Sequence, residues 1–233
     1  MSRSPQGVHL FWDNSNMFVP AKDVAESREG IHARYDVRIQ FDALYALARA
    51  GRPVTRGVCV GSVPPDLGGV FRHLASTGVE VELYERGAGS GREQGIDQCL
   101  QTHMLRAGYD YEPGVAVLLT GDGAGYEEGR GFRADLERLV ERGWAIEVIS
   151  WRNACNRGLR ELGESSGVFV GLDDYYDAVT FWKRADARVS CRSCIGDGPN
   201  RGTHRLPDLI EFPGVGPSAP EWSAWPIRSL ATA

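Results

Sequence analysis

The sequence predicts a three-layer α/β/α domain built on a parallel sheet, followed by an extended tail rich in proline and glycine. Three observations carry this expectation. Strand-like apolar runs alternate with segments of helical periodicity over most of the chain. The loops between them have lengths that suit right-handed β-α crossovers. Three aspartates, Asp13, Asp97 and Asp122, each end or closely trail a strand-like run. In such a sheet that is the edge where ligands bind.

The elements follow in order. Residues 8–12 form an apolar strand that ends at Asp13, and residues 19–35 read as an irregular polar stretch. Phe41, Leu44, Tyr45 and Ala48 make the stripe of a half-buried helix, with Gly51 as its stop. Residues 54–60 form the second strand, residues 67–76 a weak helix ending before Gly78, and residues 79–84 the third strand. After the glycine-rich loop 87–91, a helix opened by Asp97 buries Ile96, Cys99, Leu100 and Met104. The run 115–120 is the most apolar, as the centre of a parallel sheet requires. Phe132, Leu136, Leu139 and Val140 stripe a helix that stops at Gly143; a strand at 145–151, a short helix around Leu159 and Leu162, and a strand at 168–172 complete the pattern.

Beyond residue 185 the periodicity fails, and Pro199, Pro207, Pro213, Pro217, Pro220 and Pro226 mark the tail. The expected division is a domain over residues 7–182 and an extension over 183–233. Trp222 and Trp225 would let the tail dock on the domain, on a protein partner or on a second copy of the chain.

Composition excludes several classes. A net charge of −5 argues against a protein that coats nucleic acid non-specifically. No apolar run reaches the roughly 18 residues of a membrane span, and residues 1–7 lack the apolar core of a signal peptide. Five cysteines at irregular spacing do not make a disulfide framework, so a cytoplasmic protein with no membrane partner is expected. The loop 87–91 is not followed by Gly-Lys-Ser/Thr, which excludes a P-loop. No Asp-x-Asp-x-Thr/Val pattern supports a covalent aspartyl phosphatase. Cys191 and Cys194 form a CxxC with only His204 nearby, short of a four-ligand zinc site.

Taken singly, each aspartate also fits a turn or a helix start. Three carboxylates gathered at one edge repel one another unless a cation sits among them, and Mg²⁺ or Mn²⁺ suits oxygen ligands. Arg34, Arg38, Arg86, Arg92, Arg130 and Arg133 are candidate phosphate contacts, while His103 falls close to a buried helix face and reads as structural. Asp173 and Asp174 follow the last strand and could approach the same edge.

Four segments together resemble the NYN domain, a family of the PIN-like nuclease superfamily. They are Asp13-Asn14-Ser15-Asn16, Gly95-Ile96-Asp97, Thr120-Gly121-Asp122-Gly123, and Gly131-Phe132-Arg133-Ala134-Asp135-Leu136 with the Gly143-Trp144 step that follows. The resemblance implies a flavodoxin-like, PIN-like sheet and a metal-dependent ribonuclease, with Asp13, Asp97 and Asp122 holding Mg²⁺ or Mn²⁺. It gives Asn14 the task of orienting substrate or a metal-bound water, with Asn16 as an accessory. RNA is the implied partner, and because an acidic chain needs local positive charge to hold a polyanion, Arg34, Arg38, Arg86, Arg92 and Arg130 are expected to form its rim. One departure stands out: many relatives carry a second acidic residue where this chain has Ala124. Glu127 or Glu128, in a longer loop, could fold back to replace it; otherwise both are solvated loop acids and the site has three carboxylates. The alternative is an NYN-fold module that binds RNA or protein without turnover.

Overall fold

The computed structural model describes residues 7–63, 68–85 and 92–182. Arg86, the loop 87–91, Cys191, Cys194, His204 and the tail lie outside the described residues, as do the side chains of Arg92, Ile96 and Glu128.

The chain runs β1 (Val8–Asp13), α1 (Asn14–Glu29), α2 (Ala33–Asp36), β2 (Val37–Ile39), α3 (Phe41–Arg49), β3 (Val54–Val63), α4 (Gly68–Ser76), β4 (Val79–Glu85) and α5 (Arg92–Asp110). It continues through β5 (Val115–Leu119), α6 (Gly131–Glu141), β6 (Ala145–Ser150), α7 (Arg157–Ser166), β7 (Val168–Gly171), α8 (Tyr176–Val179) and β8 (Thr180–Trp182). Six strands form one sheet in the order β4-β3-β1-β5-β6-β7, and every pairing is parallel. β2 and β8 pair antiparallel as a separate ribbon.

Strand alternation divides the core into two layers, because successive side chains point to opposite faces. Val8, Leu10 and Trp12 of β1 join Val115, Val117 and Leu119 of β5 on one face. Phe11, Ala116 and Leu118 take the other face, with Leu100 and Met104 of α5 and Leu136 and Leu139 of α6. This is the three-layer arrangement that the sequence predicts.

Three details differ from expectation. Residues 19–35 are not irregular: most of them belong to α1, and part of the rest to α2. The buried positions Met17, Ala21, Val24 and Ala25 do follow helical spacing. Two of them are alanines, and Pro20 inside the helix removes an N–H, so the amphipathic signal is faint. The second difference concerns α5, which begins at Arg92, so Asp97 lies in its second turn rather than at its start. The third is the β2-β8 ribbon, whose strands of three residues are too short to show a period.

α1 leaves the end of β1 and reaches the far side of the sheet. Trp151, just past β6, donates its indole N–H to the carbonyl of Met17 at 2.8 Å, and Arg28 donates to the carbonyl of Asp173, beyond β7, at 2.7 Å.

Candidate metal and substrate site

Asp13 closes β1, level with Val60 of β3. Since Trp12 pairs with Leu119, Asp13 also stands beside Thr120, two residues before Asp122 on the neighbouring strand. Its carboxylate caps α1: Oδ1 accepts from the Asn16 backbone N–H at 3.1 Å and Oδ2 from the Asn16 side-chain amide at 2.5 Å. The group is buried. Desolvation pushes its pKa above the usual carboxylate range, the hydrogen bonds from Asn16 and Ser15 oppose that shift, and the nearby charge of Asp122 adds to it.

Asn14 is buried beside it, and among the described residues its Oδ1 has no hydrogen-bond partner. Gly61 of β3 makes the room, because a Cβ there would lie 3.0 Å from the Asn14 Cβ. Asp122 sits on a turn that its own side chain builds. Its backbone N–H donates to Thr120 Oγ1 at 3.2 Å, and its Oδ1 accepts from Ala124 N–H at 3.0 Å. Two glycines press this turn against the loop after β6. A Cβ at Gly121 would meet the Ala154 carbonyl oxygen at 2.5 Å, and one at Gly123 the Asn156 Cγ at 2.1 Å.

Asp97 is half-buried, on a helix that packs on β1 and β3. It precedes buried Leu100 and Met104 by three and seven residues, which puts it on the sheet-facing stripe one turn nearer the carboxyl edge. The three aspartates therefore belong to neighbouring elements around one edge, but they do not close into a tight trio. Among the described residues, the set of His, Cys, Asp or Glu donors whose ligand atoms all lie within 4.8 Å is Glu82, Cys99 and His103.

The accessory residues are spread out. Glu127 is exposed in the helical turn Tyr126–Glu128 and lines a groove of about 530 Å³ together with Gly123, Arg133, Asn156 and Arg157. Arg133 stacks on the Tyr126 ring at 3.8 Å, and Asn156 caps α7 by accepting from Gly158 and Leu159. Arg34 is ion-paired with Asp23 and Glu26, which hold its guanidinium firmly protonated. Arg38 donates to the carbonyls of Tyr35 and Val37 and lies over the Phe18 ring. Arg130 is exposed on the loop after β5. Of the expected rim, the described arginines are divided: Arg34 and Arg38 lie on the α1-α2-β2 flank, and Arg130 on the loop beyond Asp122. Asp173 accepts from the Arg152 backbone N–H and Asp174 pairs with the Arg152 side chain, so both are engaged locally.

Asn156 and Arg157, which line the same groove, were not among the expected site residues. Their signal was present: both follow a strand at the carboxyl edge, and Asn156 is a good helix cap.

The residues present fit a divalent cation. Asp13, Asp97, Asp122 and Asn14 offer hard oxygen donors, the buried Asn14 Oδ1 has no partner among the described residues, and Asp13 carries a destabilised buried charge near that of Asp122. A cation there would satisfy the amide oxygen and relieve the repulsion.

Comparison with known proteins agrees with this architecture. The family model described as NYN domain matches residues 7–161. The fold resembles the crystal structure of a protein of unknown function from Vibrio parahaemolyticus, with a TM-score of 0.52 at 16% sequence identity. That likeness covers 75% of this chain and 98% of the other. No protein of curated function matches the chain.

Proposed function

The chain belongs to the NYN domain family, and from that premise we propose that it is a metal-dependent ribonuclease that hydrolyses RNA phosphodiester bonds at the Asp13-Asp97-Asp122 edge. The observation that carries the reading is the closeness of Asp13 and Asp122: two carboxylates beyond adjacent strands, one of them buried and resisting ionisation under the other's charge, with the amide oxygen of the next residue, Asn14, lacking a hydrogen-bond partner among the described residues. Mg²⁺ or Mn²⁺ bound there supplies water activation and neutralises charge developing on the phosphate.

The protein's own groups do the rest. Asp13, Asp97 and Asp122 would hold the cation, and Asn14 would orient the substrate or the attacking water. Asn16 keeps both Asp13 oxygens in place. Arg133 and Arg157, in the groove that begins at Gly123, hold phosphates of the substrate strand, and Arg130, exposed on the same loop as Gly123, adds positive charge nearby. Tyr126 offers a ring on which a base stacks.

A second reading keeps the fold and loses turnover, as a module that binds RNA or protein. It is favoured by Ala124 and by the open spacing of the aspartates.

Purified protein incubated with mixed RNA and DNA in Mn²⁺, with and without EDTA, separates the two. The nuclease reading expects RNA cleavage that EDTA stops and that Asp13→Asn or Asp122→Asn abolishes. RNA binding without cleavage in any divalent metal favours the second reading. Binding should also weaken with salt, with a log–log slope of roughly −0.7 per phosphate contacted on a single strand. Affinity indifferent to salt would remove RNA as the partner.

A further inference from the structure

β4 and α5 bring a second set of donors together, on the α5 face of the sheet's edge strand. The two-residue period of β4 puts Glu80, Glu82 and Tyr84 on one face, while Val79 and Val81 pack into the opposite core. On α5, Cys99 and His103 are four residues apart and so share a face. Cys99 Sγ donates to Glu82 Oε2 at 2.9 Å, and His103 Nε2 lies 2.6 Å from Glu82 Oε1. They line a groove of about 480 Å³ with Tyr84, Thr102 and Arg106.

We propose that Glu82, Cys99 and His103 bind a divalent transition metal of the zinc class, at a site separate from the aspartate edge. The donor chemistry selects the metal: thiolate and imidazole favour zinc, cobalt or copper, whereas Mg²⁺ and Mn²⁺ prefer the all-oxygen set. One sulfur, one nitrogen and one carboxylate oxygen, with the groove on the fourth side, make a three-ligand zinc arrangement that leaves a position open. Ligand atoms around tetrahedral zinc lie about 3.5 Å apart. The present hydrogen-bonded contacts are a little shorter than that, so binding needs only a small opening of α5 from β4.

The protons and charges balance. The Cys99 thiol proton leaves to solvent as the Sγ–metal bond forms. The His103 proton moves from Nε2 to Nδ1, freeing Nε2 to ligate. Arg56 Nη2 now stands 2.7 Å from Nδ1 and 3.2 Å from Glu80 Oε2, so it must withdraw and leave Glu80 to accept the new Nδ1–H. Counting Arg56, Glu80 and Glu82, the cluster carries one net negative charge with the thiol protonated. A divalent metal with thiolate brings it to zero. Because α5 also carries Asp97, a metal here would clamp that helix to β4.

Cobalt(II) titration of the full chain tests this, in a Cys191→Ser/Cys194→Ser background and with excess Mg²⁺ to occupy oxygen sites. A thiolate-to-cobalt charge-transfer band saturating at one equivalent is expected, with displacement by zinc and a zinc-dependent rise in Tm. Cys99→Ser should remove the band, and Glu82→Gln and His103→Gln should weaken zinc binding by an order of magnitude or more. No band in the background chain, or a band that survives Cys99→Ser, overturns the proposal. Should Cys99→Ser fail to fold by circular dichroism, unchanged zinc affinity in folded His103→Gln overturns it equally.

Discussion

Asn16 holds both oxygens of Asp13, one through its backbone N–H and the other through its side-chain amide. The same carboxylate therefore ends β1, caps α1 and lies within reach of the Asp122 charge. Helix capping and the candidate chemistry share one group.

Separating these duties gives the first prediction. Asn16→Ala removes the side-chain donor but keeps the backbone cap. It should cost about 1 kcal/mol or less in urea unfolding and reduce Mn²⁺-dependent cleavage only partly. Asp13→Asn should abolish cleavage. Because burial raises the Asp13 pKa, the native state loses stability as pH rises through that pKa, while the charge is absent in both states at low pH. Asp13→Asn should therefore raise the metal-free Tm near neutrality, with the advantage fading on acidification. A metal-free Tm below wild type at pH 7 would contradict this.

The turn that presents Asp122 depends on a glycine for space. A Cβ at Gly123 would stand 2.1 Å from Asn156, whose side chain is fixed by capping α7. Gly123→Ala should shift the Asp122 turn and cut cleavage at least tenfold, while far-UV circular dichroism stays native. Gly123→Ala with Asn156→Gly should recover part of the rate. Full activity in the single variant would show that the turn has room to yield.

Arg52 and Glu147 make a buried two-pronged ion pair at 2.6 and 2.8 Å, joining the start of β3 to β6 across 95 residues of sequence. Arg52→Met strands a buried carboxylate and should cost about 3–5 kcal/mol by chemical denaturation. The double variant Arg52→Met/Glu147→Leu should regain most of that loss. Equal stability of single and double variants would mean that the packing around the arginine stem, not its charge, matters.

His9 supplies the pH dependence. It is held between the rings of Tyr111 and Trp144, each 4.8 Å away, and burial with the nearby Arg56 charge lowers its pKa to about 4. The unfolded histidine takes up its proton near pH 6.5, so this contribution is intact above that value and lost as pH falls toward 4. His9→Phe should flatten the stability profile between those limits. An unchanged slope would assign the acid sensitivity elsewhere.

Much of the molecule was legible in the amino-acid order because the information is local. The strands, the stripes of α3 and α6, and the stops at Gly51, Gly78 and Gly143 depend on neighbours within one or two turns. So does the placement of Asp13 and Asp122 after strands, since chain direction alone puts every strand end of a parallel sheet on one edge. Other features needed distance in sequence to become closeness in space. α1 is stabilised by small buried alanines and by bonds to Trp151 and Asp173, which helical periodicity cannot register. The fates of Arg34 and Arg38 depended on which acids and carbonyls folding brought to them. Glu82 met Cys99 and His103 only because a strand of period two and a helix of period 3.6 were packed in one register. Pattern along the chain determines which face a residue takes; what stands opposite is decided by packing between elements.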